Sequence, residues 1–314
     1  MMFNNRKLRV LVVGAGGVGA YFGGRLAQSG KAEISVVCRS DYASVIDHGY
    51  RIKSIAGDFD FMPAGVYRTP ADCPEELDLV IVTTKVLPGI DVPAMIRPVI
   101  RENTAILLIQ NGLGMEEEMA AAYPDNPLLG AIAYIGVFRE GDGQITHQGG
   151  GTLAIGKYPQ GDSALLDWLV YTWNHVGVGT RKSEDIILDR WSKLVWNAPY
   201  NPVSILAGCV DTGVISADPL LDDLCAELMR EVCAAAKACG KELPEDIVRR
   251  NLDYTHGFPP YKTSMLLDYE NKRPLEVEAI LGSIVRRADA KGVAIPRLQT
   301  LYALLQSVNK QRQK

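Results

Sequence analysis

The chain has 314 residues, of which 47% are hydrophobic and 22% charged, and carries a net charge of −4. That length exceeds one average domain and suits two, each burying its own core, while the composition excludes a disordered chain. No basic run could track a nucleic-acid backbone, so no nucleic-acid partner is expected.

Apolar runs are of strand length or broken by polar residues, and the first nine residues are too short and polar for a secretory signal. A cytoplasmic chain without a membrane partner is therefore expected. Six cysteines occur with no C-x-x-C pair, which reads as reduced, mostly buried thiols. The four histidines show no H-x-x-x-H spacing, so no metal site is expected, and without a G-x-S-x-G elbow nucleophilic hydrolysis is set aside.

Residues 8–30, LRVLVVGAGGVGAYFGGRLAQSG, read as a buried strand, a glycine turn and a helix. In that turn, Gly14-Ala15-Gly16-Gly17-Val18-Gly19, Gly14 permits a tight bend and Gly16 lets a pyrophosphate approach the backbone. Gly19 lets the helix pack closely on the strand, and the helix N-terminus offers N–H groups to the anion. The next strand, EISVVCR over residues 33–39, ends where dinucleotide folds meet the adenosine ribose. A carboxylate there would repel a 2′-phosphate. Arg39 followed by Ser40 offers a guanidinium and a hydroxyl instead, which favours NADP(H); the alternative is a solvated loop arginine.

A short helix over residues 41–48 and a hairpin over residues 50–61 follow. The strand LDLVIVT leads to Lys85, and TAILLI leads to Gln110-Asn111-Gly112. Lys85 and Asn111 thus fall at the carboxyl edge of a parallel sheet, where ligands bind, although a lysine there is also an ordinary solvated residue and Asn-Gly an ordinary turn. Asn111 could hold a substrate oxygen or the nicotinamide ribose. A helix is expected over residues 115–123. Residues 128–156 read as an antiparallel meander in which QITHQ and TLAIG are separate strands parted by three glycines. After a helix over residues 163–173 and a last short strand, the first domain is expected to close, giving a division into residues 1–181 and 182–314.

Beyond that point only helices are expected, over residues 183–198, 219–239, 245–254, 264–269, 275–291 and 297–310. The chain therefore reads as an α/β Rossmann-type dinucleotide-binding domain followed by an all-α domain, with the active site in the cleft between them. Lys193, Asn197 and Asn201 stand at i, i+4 and i+8, one helix face that is either a polar ligand site or solvated. Pro199 is expected to kink or end that helix between the two asparagines. Ser264 reads as a helix cap, and Glu276 and Glu278 as first-turn carboxylates.

Taken together these motifs resemble the ketopantoate reductase family, the 2-dehydropantoate 2-reductases, over essentially the whole chain. The resemblance rests on GAGGVG, Lys85, Asn111 in QNG, WSKLVWNAPYN over residues 191–201, SMLLD over 264–268, EVE over 276–278 and GVAIP over 292–296. It implies NADPH-dependent reduction of ketopantoate to pantoate, within pantothenate and coenzyme A biosynthesis. Lys193 would be the general acid, with Glu276 orienting it or binding a substrate hydroxyl. Asn111, Asn197, Asn201 and Ser264 would hold the 2-keto acid, and Lys85 and Arg39 would serve the cofactor. Reduction of another 2-keto acid, or a non-catalytic NADP(H) sensor, are the alternatives. Oligomeric state is left open, a homodimer included. Asp211-Thr212-Gly213 departs from the family's Asn-Gly and would set a carboxylate against an anionic substrate unless it is paired.

Overall fold

The structure, a computed structural model, describes residues 6–312 and divides the chain into two compact units. Of the described residues, the first unit comprises 6–85, 90–110 and 115–186; the second comprises 86–89, 111–114 and 187–312. The first unit thus ends at residue 186, five residues past the expected close, and two short segments from between the strands belong to the second unit.

The first unit is built on β1 (Leu8–Val13), α1 (Gly17–Gln28), β2 (Ala32–Val37), α2 (Tyr42–His48), β3 (Tyr50–Ser54), β4 (Phe59–Phe61) and β5 (Val66–Tyr67). It continues through β6 (Leu79–Val82), α3 (Val92–Ile96), β7 (Ala105–Leu108), α4 (Met115–Ala122), β8 (Leu128–Gly141), β9 (Gln144–Lys157), α5 (Ala164–His175) and β10 (Thr180–Lys182). The strands form one sheet in the order β4-β3-β9-β8-β7-β6-β1-β2-β5, with β10 pairing β9. The central strands β7, β6, β1 and β2 are parallel, and β6 and β7 are buried on both faces, which is why their sequences are continuous apolar runs; β1 and β2 are interrupted only by Arg9, Glu33 and Ser35. β3 and β4 form the expected hairpin, and β8 and β9 a long antiparallel pair. Helix α5 packs on α1, where Trp173 Nε1 donates to the Phe22 carbonyl at 3.1 Å.

One expectation fails here. QITHQ and TLAIG are a single strand, β9, which runs through Gly149-Gly150-Gly151. Gly150 (φ +66°) and Gly151 (φ +104°) absorb a register shift against β8 near Tyr134, so the glycines form a bulge rather than a break.

The second unit holds α6 (Ile186–Leu206), α7 (Thr212–Ala217), α8 (Pro219–Ala238), α9 (Ile247–Gly257) and α10 (Ser264–Glu270). A π-helical turn (Glu278–Gly282) then leads into α11 (Ser283–Ala290), and α12 (Pro296–Arg312) follows. Its core is separate from that of the sheet and is lined by Trp191, Tyr200, Leu228, Met229, Leu281 and Leu298. Pro199 does not end α6, which continues through Pro199 and Pro202 to Leu206. The flanking residues Val195, Ala198, Tyr200 and Val203 are buried, and that tertiary burial outweighs the hydrogen bonds the prolines remove. Helix α7 was not foreseen from the sequence. No described helix is long and apolar enough to cross a membrane. The six cysteines are free; Cys38, Cys73 and Cys225 are buried, Cys233 and Cys239 half-buried, and Cys209 exposed.

Candidate active site

In the first unit β1 ends at the glycine turn. Gly14 adopts φ +93°, and its N–H donates to the Val37 carbonyl at 3.2 Å while Thr83 Oγ1 donates to the Gly14 carbonyl at 2.8 Å. A Cβ on Gly14 would stand 2.7 Å from Thr84 Cγ2 and 2.8 Å from Thr84 N, so only glycine fits the bend. A Cβ on Gly19 would lie 3.0 Å from both the Gly14 carbonyl oxygen and Val12 Cγ1 and would also meet Thr83 Oγ1, which forces α1 close to the strand. At Gly16 the situation is the reverse: the Gly14 carbonyl oxygen, at 3.9 Å, is the single atom a Cβ would approach. Gly16 also precedes α1 without a side-chain cap, leaving the open cradle that a pyrophosphate needs at a helix N-terminus. Ala15 is buried, with its carbonyl accepting from Tyr50 Oη at 2.9 Å, and Gly17 and Val18 open the helix. Arg39 and Ser40 are exposed just beyond β2, and Lys85 is half-buried beyond β6. These groups suit a dinucleotide in shape and charge.

In the second unit four groups from separate stretches of chain meet. Lys193 Nζ donates to Asn111 Oδ1 at 2.8 Å, Asn111 Nδ2 donates to Glu276 Oε2 at 3.4 Å, and the Val86 N–H donates to Glu276 Oε1 at 3.0 Å. Asn111 reaches this position because Gly112 (φ +97°) lies directly against the backbone of Ala279, where a Cβ would be 2.7 Å from the carbonyl carbon. Ala279 belongs to the π-helical turn that follows Glu276, and such turns re-aim neighbouring side chains. Helix α6 supplies Lys193 and, one and two turns on, the buried Asn197 and Asn201. Asn201 is 2% exposed, and its Nδ2 is a buried donor with no partner among the described residues. Such an orphan is costly unless a ligand accepts from it.

Burial pushes the Lys193 ammonium down to about 8, with the nearby Arg190 charge acting in the same direction and the Glu276 carboxylate opposing it. An ammonium with so loose a proton is matched to proton transfer near neutral pH. Arg190 and the Val86 N–H went unnoticed in the sequence; Arg190 precedes Lys193 by three residues on the same helix, which is the one signal available for it.

One expectation changes and two open alternatives are decided. Ser264 is not the cap of α10: Thr263 Oγ1 accepts from the Leu266 N–H at 3.1 Å, and Ser264 stands exposed with no side-chain hydrogen bond among the described residues. Asp211 is a cap, accepting from the Val214 N–H at 3.0 Å at the start of α7, so its carboxylate is occupied. Glu276 and Glu278, equivalent in the sequence, separate. Glu278 pairs with Arg286 at 2.5 Å and accepts from Tyr302 Oη at 2.6 Å; burial raises its pKa, but these partners hold it below the ordinary carboxylate range. That leaves Glu276 as the carboxylate beside Lys193.

A glycine-turn Rossmann unit followed by a helical unit bearing a half-buried lysine, amides and a carboxylate defines a nucleotide-dependent oxidoreductase architecture. The family model described as ketopantoate reductase PanE/ApbA matches residues 10–160, and its C-terminal counterpart matches residues 185–309. A 2-dehydropantoate 2-reductase of Nostoc sp. is 34% identical over 304 residues, covering 95% of this chain and 94% of that protein. The crystal structure of 2-dehydropantoate 2-reductase from Methylococcus capsulatus superimposes with a TM-score of 0.90 at 41% identity, covering 98% of each chain. That from Geobacter metallireducens GS-15 also gives 0.90, at 33% identity over 96% of this chain and 100% of the other. The chain belongs to the ketopantoate reductase family and is an oxidoreductase.

Proposed function

We propose that this chain reduces a 2-keto acid, with ketopantoate the leading substrate and pantoate the product, at the expense of NADPH. The observation that carries the reading is the Lys193–Asn111–Glu276 array with a lysine held near pKa 8. The glycine turn from Gly14 to Gly19 and Lys85 would hold the dinucleotide, and Arg39 the 2′-phosphate that distinguishes NADPH from NADH. When bound, the nicotinamide supplies the hydride that the keto carbon accepts.

The chain's own groups handle the oxygen. Lys193 donates a proton from Nζ to the keto oxygen as negative charge grows there, and its charge stabilises that oxygen before the transfer is complete. Asn111 fixes the direction of Nζ. Glu276, anchored by the Val86 N–H, holds Asn111 and biases Lys193 towards the ammonium form. The unpaired Nδ2 of Asn201, with Asn197 and the free hydroxyl of Ser264, would bind the carboxylate and hydroxyl of the substrate. This array is what a non-catalytic NADP(H) sensor would have no need of.

The test is NADPH oxidation by the purified protein with ketopantoate, a panel of other aliphatic and aromatic 2-keto acids, and NADH in parallel. Turnover selective for ketopantoate and NADPH is expected. Selective turnover of another 2-keto acid would overturn the substrate, and dinucleotide binding without turnover of any keto acid would overturn the reaction.

A further inference from the structure

The sheet edge beyond β2 carries two arginines, only one of which falls in the stretch where dinucleotide folds read the adenosine ribose. β2 and β5 pair in parallel, Val36 against Val66 and Val37 against Tyr67, and the Cys38 N–H donates to the Tyr67 carbonyl at 3.1 Å. Chain leaving the two strands therefore emerges side by side, as Arg39-Ser40 and as Arg68. The Tyr42 N–H turns back to the Arg39 carbonyl at 3.4 Å, and the Arg68 guanidinium lies over the Tyr42 ring, 4.1 Å from its centroid. Stacking holds a guanidinium in place while its N–H edge stays open to a ligand.

The charge at this edge is uncancelled. Arg39, Ser40 and Arg68 are exposed, and neither arginine pairs with a carboxylate among the described residues. The nearby acids are engaged elsewhere: buried Asp41 pairs with Arg139, Asp72 accepts from the Thr69 N–H and hydroxyl, and Glu75 accepts from Tyr67 Oη.

We propose that Arg68 is a second binding residue for the 2′-phosphate of the adenosine ribose, acting with Arg39 and the Ser40 hydroxyl to set the preference for NADPH over NADH. The proposal rests on NADP(H) being the cofactor. A dianionic phosphate carries several acceptor oxygens, more than one guanidinium fork satisfies, and a second arginine just past the neighbouring strand supplies the remaining donors. Because the site is open to solvent, its contribution is screened by salt.

The experiment measures dissociation constants by calorimetry for NADPH, NADH, adenosine 2′,5′-bisphosphate and 5′-AMP on the wild type, Arg68→Ala, Arg68→Lys and Arg39→Ala. Arg68→Ala is expected to weaken NADPH and the bisphosphate by roughly tenfold while NADH and 5′-AMP change by less than about twofold. It should also flatten the dependence of NADPH affinity on ionic strength, and Arg68→Lys should restore part of the loss. An unchanged NADPH-to-NADH ratio in Arg68→Ala, with the ratio collapsing in Arg39→Ala, would overturn the role of Arg68 and leave the cofactor reading standing. A wild type that binds NADH as tightly as NADPH would overturn both.

Discussion

Lys193 is useful in the proposed reaction because its charge is held insecurely. Burial and Arg190 lower its pKa from 10.5 to about 8, and Glu276 limits the fall. The folded chain therefore binds this proton less tightly than the unfolded chain does. Between about 8 and 10.5 the unfolded state carries the extra proton, so this residue's contribution to stability rises with pH through that window and is unfavourable below it. For reduction the order is opposite, since the proton donor is lost as pH rises. We expect kcat/KM to fall above a limb near 8, and Glu276→Gln to move that limb to lower pH, because the one group opposing the depression has been removed. A limb that stays in place in Glu276→Gln would contradict the electrostatic role of this carboxylate. At this scale Lys193 and Asn111 could be brought forward as candidates from residue type and position, whereas Glu276 was separated from Glu278 only by the resemblance to the family's motifs. The sequence was silent on the Val86 N–H and on Arg190, because a backbone donor has no side-chain signature and a buried charge looks like any other arginine.

Among the elements, the glycine turn has little tolerance. Gly14→Ala would force a Cβ into Thr84 at a backbone angle that alanine rarely adopts, at a cost of about 1–2 kcal/mol of backbone strain beyond the collision itself. We expect dinucleotide affinity to drop at least roughly tenfold, read by fluorescence titration, with helical content by circular dichroism little changed. Unaltered affinity would contradict the placement of the pyrophosphate. Asp211→Ala removes the cap of α7 and should cost about 1 kcal/mol, read as a lower denaturation midpoint. The long apolar runs were readable as strands because they are buried on both faces. Misreadings occurred where tertiary packing overrides local signals: α6 runs through two prolines, and β9 crosses three glycines. β5, two residues long, has no periodicity to detect, yet it is the strand that places Arg68 beside Arg39.

At the scale of the whole molecule, two separate hydrophobic cores mean that cofactor binding, proposed for the first unit, need not stabilise the second to the same degree. A ligand at a hundredfold excess over its Kd adds about 2.7 kcal/mol to the unit that binds it. NADPH should therefore raise an unfolding midpoint by several degrees in calorimetry, with NADH raising it less at equal concentration; equal shifts would contradict the preference for the phosphorylated cofactor. The two-part architecture was legible because the strand pattern stops and only helical periodicity follows. The boundary itself was not, since residues 86–89 and 111–114 lie among the strands in sequence but belong to the helical unit. That exchange is what gives the helical unit Asn111 and the Val86 N–H.

The measurement that tests the account most directly is ketopantoate reduction by Lys193→Ala alongside its affinity for NADPH. The account predicts NADPH binding close to that of the wild type and a loss of turnover of about 10²–10⁴-fold, the range expected for removing a positioned general acid. Turnover within roughly threefold of the wild type would mean that the proton comes from elsewhere, and would contradict the assignment of Lys193.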